Sequence, residues 1–240
     1  SFSGEQLNYI RKKHPEYKTL LQNWSSSKKV EVLGGAFYNS FLPLCHGLDR
    51  NGQIDLHSST VRETCGRRPR GMTFYCDAWD SSLITNLSTC GMEYAVLHEN
   101  AFAQDKKRFL PVYMNALGKH CDLIPCYESL KPGVDTVCDS FIKKLEKEVH
   151  KSSAKDNFTQ FNPDRIIAIK FTDNEFSELN DANWFENFLE CIENHNNSSG
   201  HPLYLSTLSN YLKISDKKIP AFVSSYFKNP DPNGKQYLSV

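Results

Sequence analysis

The 240-residue sequence has no excess of either charge, because 28 Lys and Arg residues balance 28 Asp and Glu residues. Nucleic-acid-binding domains usually carry a basic excess or patch, whereas the basic clusters here, at residues 11–13 and 106–108, are short and typical of a solvated surface. The sequence also lacks an apolar run of the length that a membrane-spanning helix needs. We therefore predict neither a nucleic-acid partner nor a membrane location.

None of the eight cysteines forms a C-x-x-C pair, which disfavours a structural zinc site. The closest pair is Cys121 and Cys126, which we interpret as two buried thiols, with a disulfide as the less favoured alternative. Free thiols suit a reducing compartment, so the composition predicts a cytoplasmic protein.

Histidines at the spacing typical of metal ligands are absent as well. No two of the eight histidines follow an H-x-H or H-x-x-x-H pattern, and His98 is the only one at the end of a predicted strand. A lone histidine is more often a hydrogen-bonded structural residue. We predict no metal site and no cofactor.

The sequence does contain apolar runs that alternate with amphipathic segments. The runs predict strands at residues 30–37, 72–76, 94–97, 109–114, 123–127, 164–171 and 220–223. The amphipathic segments predict helices at residues 49–65, 81–90, 134–150, 184–192 and 208–212. This alternation indicates an α/β protein with a parallel sheet that helices cover on both faces. No segment resembles a linker, so we predict a single domain over residues 1–240.

Polar side chains follow several of these predicted strands. They are Tyr38, Asn39, Cys76, Asp77, His98, Glu99, Glu128, Asp173 and Glu175. In parallel α/β barrels the chemistry lies at the carboxyl ends of the strands. Two carboxylates across a cleft are what the hydrolysis of a glycosidic bond requires, which favours a glycoside hydrolase over a metal-dependent hydrolase.

The order and spacing of several segments resemble the family-57 glycoside hydrolases. The matching segments are 30–38, Asp49-Arg50-x-x-Gln53-Ile54, 67–71, Trp79 with Leu83, 90–94, Asp173-x-Glu175, 205–212 and 219–226. The resemblance implies a (β/α)7 barrel and retaining action on α-1,4-glucans, as in α-amylases and 4-α-glucanotransferases. The first strand of that barrel would precede Ser1, so a barrel incomplete at its N-terminus is expected.

The resemblance also assigns roles to individual residues. Asp173 would be the general acid/base, and Glu31 and Tyr38 would line the donor subsite. Trp79 would stack on a sugar or form a wall of the cleft. His98 and Glu175 are further candidates for substrate contacts.

The main departure from the family is Cys76, which stands at the position of the nucleophilic glutamate. A buried thiol stays protonated without a cationic neighbour, so it is a poor replacement. The adjacent Asp77 could substitute only if the end of the strand is turned, since neighbours on a strand point to opposite faces.

Three hypotheses follow from these residues. The first is a catalytically impaired or non-catalytic domain that binds an α-glucan or malto-oligosaccharide. The second is an active hydrolase or transferase that uses Asp77 or Cys76 as its nucleophile. The third is a metal-dependent polysaccharide deacetylase on a related barrel, which the histidine spacing disfavours.

Overall fold

A computed structural model describes residues 1–102, 109–153, 165–198, 200–215 and 217–228. The described residues form helices α1 (Gly4–Lys13), α2 (Pro15–Ser26), α3 (Gly47–Cys65), α4 (Leu83–Thr89), α5 (Cys138–Ser153), α6 (Asp173–Asp181), α7 (Trp184–Ser198) and α8 (Leu208–Ile214). They also form strands β1 (Gly71–Met72), β2 (Tyr94–His98), β3 (Val112–Ala116), β4 (Lys119–Cys126) and β5 (Ile219–Pro220). Short 3-10 helices lie at Leu42–Leu44, Tyr75–Asp77 and Glu99–Ala101.

The five strands form one mixed sheet in the order β1-β2-β4-β3-β5. Strand β2 is parallel to both β1 and β4, with Tyr94 opposite Asp122 and His98 opposite Cys126. Single parallel bridges extend the sheet from Gly34 to Met72 and from Ala168 to Cys126. The predicted parallel arrangement is therefore confirmed for β1, β2 and β4.

Strand β3 contradicts the prediction of a wholly parallel sheet, because it runs antiparallel to β4. The two strands form a hairpin whose turn residues, Leu117 and Gly118, have φ angles of 50° and 74°. Two consecutive positive φ angles are typical of a tight hairpin turn, in which glycine is favoured. The polar residues beside this turn, Asn115, Lys119 and His120, obscured the pairing in the sequence.

Several of the predicted strands are much shorter than expected. Within residues 30–37 only Gly34 forms a bridge, and within the described part of residues 164–171 only Ala168 does so. The strand predicted at residues 72–76 ends at Met72, since the chain turns into the 3-10 helix Tyr75–Asp77. The turn moves Cys76 and Asp77 out of the regular alternation of a strand.

The predicted helices are confirmed, with their ends shifted by up to six residues. Helix α3 is capped by Gly66, whose φ of 81° is the left-handed conformation that glycine adopts most easily after a helix. The apolar face of α5 packs against Trp184 of α7 through Phe141. Helix α6 was not predicted. It begins with a capping box, in which the side chain of Thr172 accepts a hydrogen bond from the backbone N–H of Glu175.

The core lies on the sheet and holds the strand ends in place. Strand β2 is buried along its whole length, and β4 is buried from Cys121 to Cys126. At the start of β1 the ring of Tyr94 lies directly over Gly71, where a Cβ atom would be only 2.0 Å from the ring. A glycine is required at this position because the ring occupies the space of a side chain.

Candidate functional site

The carboxyl ends of the parallel strands meet at one edge of the sheet and enclose a cavity of about 180 Å³. It is lined by Asp77, His98, Cys126, Glu128, Lys131, Lys170, Thr172 and Lys228. We call this cavity the upper cleft. Its volume is below the range of about 300–1,000 Å³ that is usual for small-molecule pockets.

Glu128 lies at the centre of the hydrogen bonds in the upper cleft. Its carboxylate accepts from Lys228 Nζ at 2.6 Å, from His98 Nε2 at 2.8 Å and from Lys131 Nζ at 3.2 Å. The hydrogen bond from Lys228, opposed by burial and supported by His98 and Lys131, lowers the pKa of Glu128 to about 2. Glu128 is therefore held as a carboxylate and has no proton to donate at neutral pH.

His98 is oriented by contacts on both of its ring nitrogens. The backbone N–H of Asn100 donates to Nδ1 at 3.1 Å, which leaves the proton on Nε2 for the hydrogen bond to Glu128. The ring of Tyr226 stacks on the imidazole with centroids 5.6 Å apart, and its hydroxyl lies 3.2 Å from Nδ1. These contacts give His98 a positioning role toward Glu128.

Glu99 joins two of the strand ends. Its buried carboxylate accepts hydrogen bonds from the backbone N–H of Ser129 at 2.7 Å and from the Ser129 hydroxyl at 2.8 Å. Because Ser129 directly follows Glu128, this contact fixes the loop after β4 against the end of β2.

Asp77 points into the upper cleft and forms an ion pair with Lys170. The Asp77 Oδ1 accepts from Lys170 Nζ at 2.8 Å, and Asp77 is 8% exposed. Cys76 and Asp77 have φ angles of 53° and 50°, so the strand end is turned, as a catalytic use of Asp77 would require. To act as a nucleophile, the Asp77 carboxylate would have to attack while the ammonium group of Lys170 neutralises its charge.

Cys76 does not have the surroundings of a reactive thiolate. Burial raises the pKa of the Cys76 thiol, and the charge of Asp77 adds to this effect, while hydrogen bonding from Tyr75 and the charge of Lys170 oppose it. Catalytic cysteines instead have a lowered pKa, next to cations or at helix N-termini. The thiol of Cys76 therefore stays protonated at neutral pH.

Glu175 is held by the cap of α6 and by a lysine of the cleft. Its carboxylate accepts from Lys131 Nζ at 2.9 Å and from the Thr172 N–H at 2.7 Å. Burial alone would raise the pKa of Glu175, but the hydrogen bonds from Thr172 and Lys131 outweigh it and lower the pKa. Lys131 thereby links Glu175 to Glu128.

Two other sequence candidates lie at the outer surface of this end of the sheet. Asp173 is the first residue of α6 and is exposed, and it is not among the described residues that line the upper cleft. Tyr38 is 59% exposed, and its backbone N–H donates to Gln53 Oε1. Both remain predictions as an acid/base and as a substrate contact.

The structure does not bring Trp79 and Glu31 into the upper cleft. Trp79 is 1% exposed within the core, and its Nε1 donates to the Val223 carbonyl at 3.2 Å, so no face of its ring is open to a sugar. Glu31 lies three residues before Gly34, at the opposite ends of the strands, where its carboxylate accepts from the Ser209 N–H at 3.0 Å. Trp79 is kept from the cleft by its packing in the core, and Glu31 by its place before Gly34 in the direction of the chain.

The sequence analysis missed the three lysines of the upper cleft, Lys131, Lys170 and Lys228. Lys170 interrupts the apolar segment 166–171, which is a signal that the sequence did offer. Lys131 lies only three residues after Glu128 but belongs to no recognised motif, whereas Lys228 reaches Glu128 through the folding of a distant part of the chain.

The described residues contain no group of three or more His, Cys, Asp or Glu side chains that could hold a metal ion. Within those same ranges, no helix is both long and apolar enough to cross a membrane.

Comparisons with known proteins identify a family that the sequence matches. Residues 1–131 match the family model described as glycosyl hydrolase family 57. Alpha-amylase 1 of Dictyoglomus thermophilum is 23% identical over 252 residues, which cover 99% of this chain and 32% of the amylase. The chain thus spans about a third of the length of that curated relative.

Solved structures show the same fold. The crystal structure of 4-alpha-glucanotransferase from Thermococcus litoralis matches with a TM-score of 0.73 and 21% identity, over 94% of this chain and 35% of that one. A putative polysaccharide deacetylase from Mycobacterium smegmatis matches with a TM-score of 0.56 and 10% identity, over 95% of this chain and 74% of that one. The predicted α/β, (β/α)7 barrel-like fold is confirmed, with a mixed five-stranded sheet in the described residues. Since the family model covers more than half of its residues, the chain belongs to glycosyl hydrolase family 57.

Proposed function

We propose that this chain binds an α-glucan or malto-oligosaccharide at the upper cleft without cleaving it. The relatives named alpha-amylase and 4-alpha-glucanotransferase support the class of ligand. The residues of the cleft support the absence of turnover.

One observation carries the proposal: the charged groups of the upper cleft neutralise one another. Glu128 and Glu175 are hydrogen-bonded to Lys131, Glu128 also to Lys228, and Asp77 to Lys170. A retaining glycosidase needs one carboxyl group that donates a proton and a second that attacks the anomeric carbon. The acid usually has a raised pKa, so Glu128 and Glu175, whose pKa values are lowered, do not suit that role.

The position that the family resemblance gives to the nucleophile also supports the proposal. Residue 76 is a thiol whose pKa is raised, and its neighbour Asp77 is already paired with Lys170. A covalent glycosyl–enzyme intermediate would therefore require an ion pair to break before bond formation.

Exposed aromatic rings at this end of the sheet would supply the binding surface. Tyr38 is 59% exposed and Tyr75, which directly precedes Cys76, is 52% exposed. Aromatic side chains offer a large apolar face together with a polar hydroxyl, which suits a pyranose ring. We expect these two tyrosines to contact the glucan.

A second candidate function is hydrolysis or transfer with Asp77 as the nucleophile. It is favoured by the turned backbone at residues 76 and 77, which points Asp77 into the cleft. In this alternative Asp173 would be the acid/base, and Asp77→Asn and Asp173→Asn would each abolish turnover.

The experiment is incubation of the purified chain with maltoheptaose, followed by the chain lengths of the products. We expect the heptamer to remain intact, while native gel electrophoresis in soluble amylose shows retarded migration. The matched variants Tyr38→Ala and Tyr75→Ala should reduce this retardation. Shorter products, or a ladder of shorter and longer chains that Asp77→Asn abolishes, would replace the proposal with the active alternative.

A further inference from the structure

A larger groove, of about 580 Å³, lies at the opposite ends of the same strands. We call it the lower groove. Tyr94 begins β2, and its partner Asp122 lies in the first half of β4, so the groove opens at the amino ends of the strands. Its volume falls within the range of about 300–1,000 Å³ that is usual for small-molecule sites.

One wall of the lower groove is aromatic. Tyr113 of β3 and His120 of β4 stack across the hairpin, with ring centroids 5.5 Å apart and planes 28° apart. The buried ring of Tyr94 packs behind this wall, over Gly71, which has no side chain in its way. The accessible rings of Tyr113 and His120 therefore form the aromatic wall.

The remaining walls present charged groups of both signs. Asp122 Oδ2 accepts from Lys218 Nζ at 2.6 Å, whereas its buried Oδ1 has no hydrogen-bond partner among the residues that the structure describes. Arg70 Nε donates to Glu93 Oε1 at 2.6 Å. A buried acceptor without a partner costs free energy unless another group donates to it.

Lys213, on the exposed face of α8, also lines the groove. Ser209 of α8 lines the groove too, and its backbone N–H donates to Glu31. The groove thus offers donors and acceptors in close succession beside aromatic faces.

We propose that the lower groove binds a neutral saccharide. A hydroxyl group both donates and accepts, so a pyranose can satisfy Asp122 Oδ1 and the lysines at once. Its C–H face matches the stacked rings of Tyr113 and His120. An anion would be repelled by Asp122 and Glu93, and a cation would be repelled by the lysines and Arg70. A neutral polyhydroxylated ligand therefore has the better complementarity.

This site is separate from the upper cleft, because the two lie at opposite ends of the strands. Saccharide binding in the lower groove therefore does not depend on the proposed function of the upper cleft. The lower groove would hold the same or another glucan segment away from the candidate active site.

Hydrogen exchange of the full chain, followed by mass spectrometry with and without maltotriose, tests the proposal. We expect slower exchange in residues 112–126 and in α8. Tyr113→Ala and His120→Ala should weaken maltotriose binding by about tenfold each, as the loss of a stacking ring predicts. Leu117→Asn, at the exposed tip of the same hairpin, is the matched control and should retain binding.

Lys213→Ala provides a second variant on an exposed helix face, in case either aromatic variant fails to fold. It should also weaken binding while leaving the fold unchanged. Protection confined to residues 98–101 and 126–131 would assign maltotriose to the upper cleft alone and overturn the inference. So would equal binding by all variants, or protection of the lower groove by inorganic phosphate but not by maltotriose.

Discussion

The hydrogen bonds to Glu128 make the stability of the protein depend on pH in a defined window. The pKa of Glu128 falls from 4.5 to about 2, with Lys228 as the largest cause. One pKa unit corresponds to about 1.4 kcal/mol, so the shift sets an upper limit of about 3 kcal/mol. The Glu128 side chain is 38% exposed, and screening by solvent reduces this limit to about 1–2 kcal/mol.

The sign of the effect follows from the lowered pKa of the folded state. Glu128 contributes its full stabilisation above pH 4.5, and this contribution is lost as the pH falls from 4.5 to about 2. The variant Glu128→Gln has no carboxylate to protonate and lacks this contribution at every pH.

The assay is urea unfolding of the wild type and of Glu128→Gln at pH 7 and at pH 3. Between these pH values the wild type should lose about 1 kcal/mol more of its free energy of unfolding than Glu128→Gln does. Glu178→Gln, on the exposed face of α6, is the control and should follow the wild type. Equal losses in the wild type and in Glu128→Gln would refute the role given to the lysines around Glu128.

Three further predictions concern the cleft and its supports. Cys76→Glu should leave maltoheptaose uncleaved, because the neighbouring carboxylates remain paired with lysines; a clear gain of hydrolysis would show that only the nucleophile was missing. Thr172→Ala should lower the free energy of unfolding by about 1 kcal/mol through loss of the α6 cap, with Thr172→Ser as the control in urea unfolding. Gly71→Ala should cost about 1–3 kcal/mol by overpacking against Tyr94. The double variant Gly71→Ala/Tyr94→Leu should lose less than the sum of its single variants, and simple additivity would contradict the contact.

Regular elements with clear apolar periodicity were predictable from the sequence. Strand β2 and helices α5 and α7 overlap their predicted positions, because burial of a continuous run or of one helix face determines each of them. The hairpin of β3 and β4 was missed, since its turn depends on positive φ at Leu117, a residue that rarely adopts it. Gly118 was the only local signal of this turn.

The candidate site was predictable only in part. Asp77, His98 and Glu128 lie at strand ends, as expected from the rule for parallel sheets. The capping box of Thr172 and Glu175 was present in the sequence, but the family resemblance led us to interpret Glu175 as part of an acid motif. The pairs Glu128–Lys228 and Asp77–Lys170 join residues that are far apart in the sequence, so they depend on tertiary structure and leave no periodic signal.

The most direct test of the central proposal is to look for the covalent intermediate of a retaining mechanism. The chain would be incubated with an activated fluorinated α-glucosyl fluoride, which forms a slowly hydrolysed ester on a nucleophilic carboxylate, and its intact mass would then be measured. An active family-57 enzyme would serve as the positive control. We predict an unchanged mass for this chain. A mass increase that maps to Cys76 or Asp77 would contradict the proposal that the upper cleft binds a glucan without cleaving it.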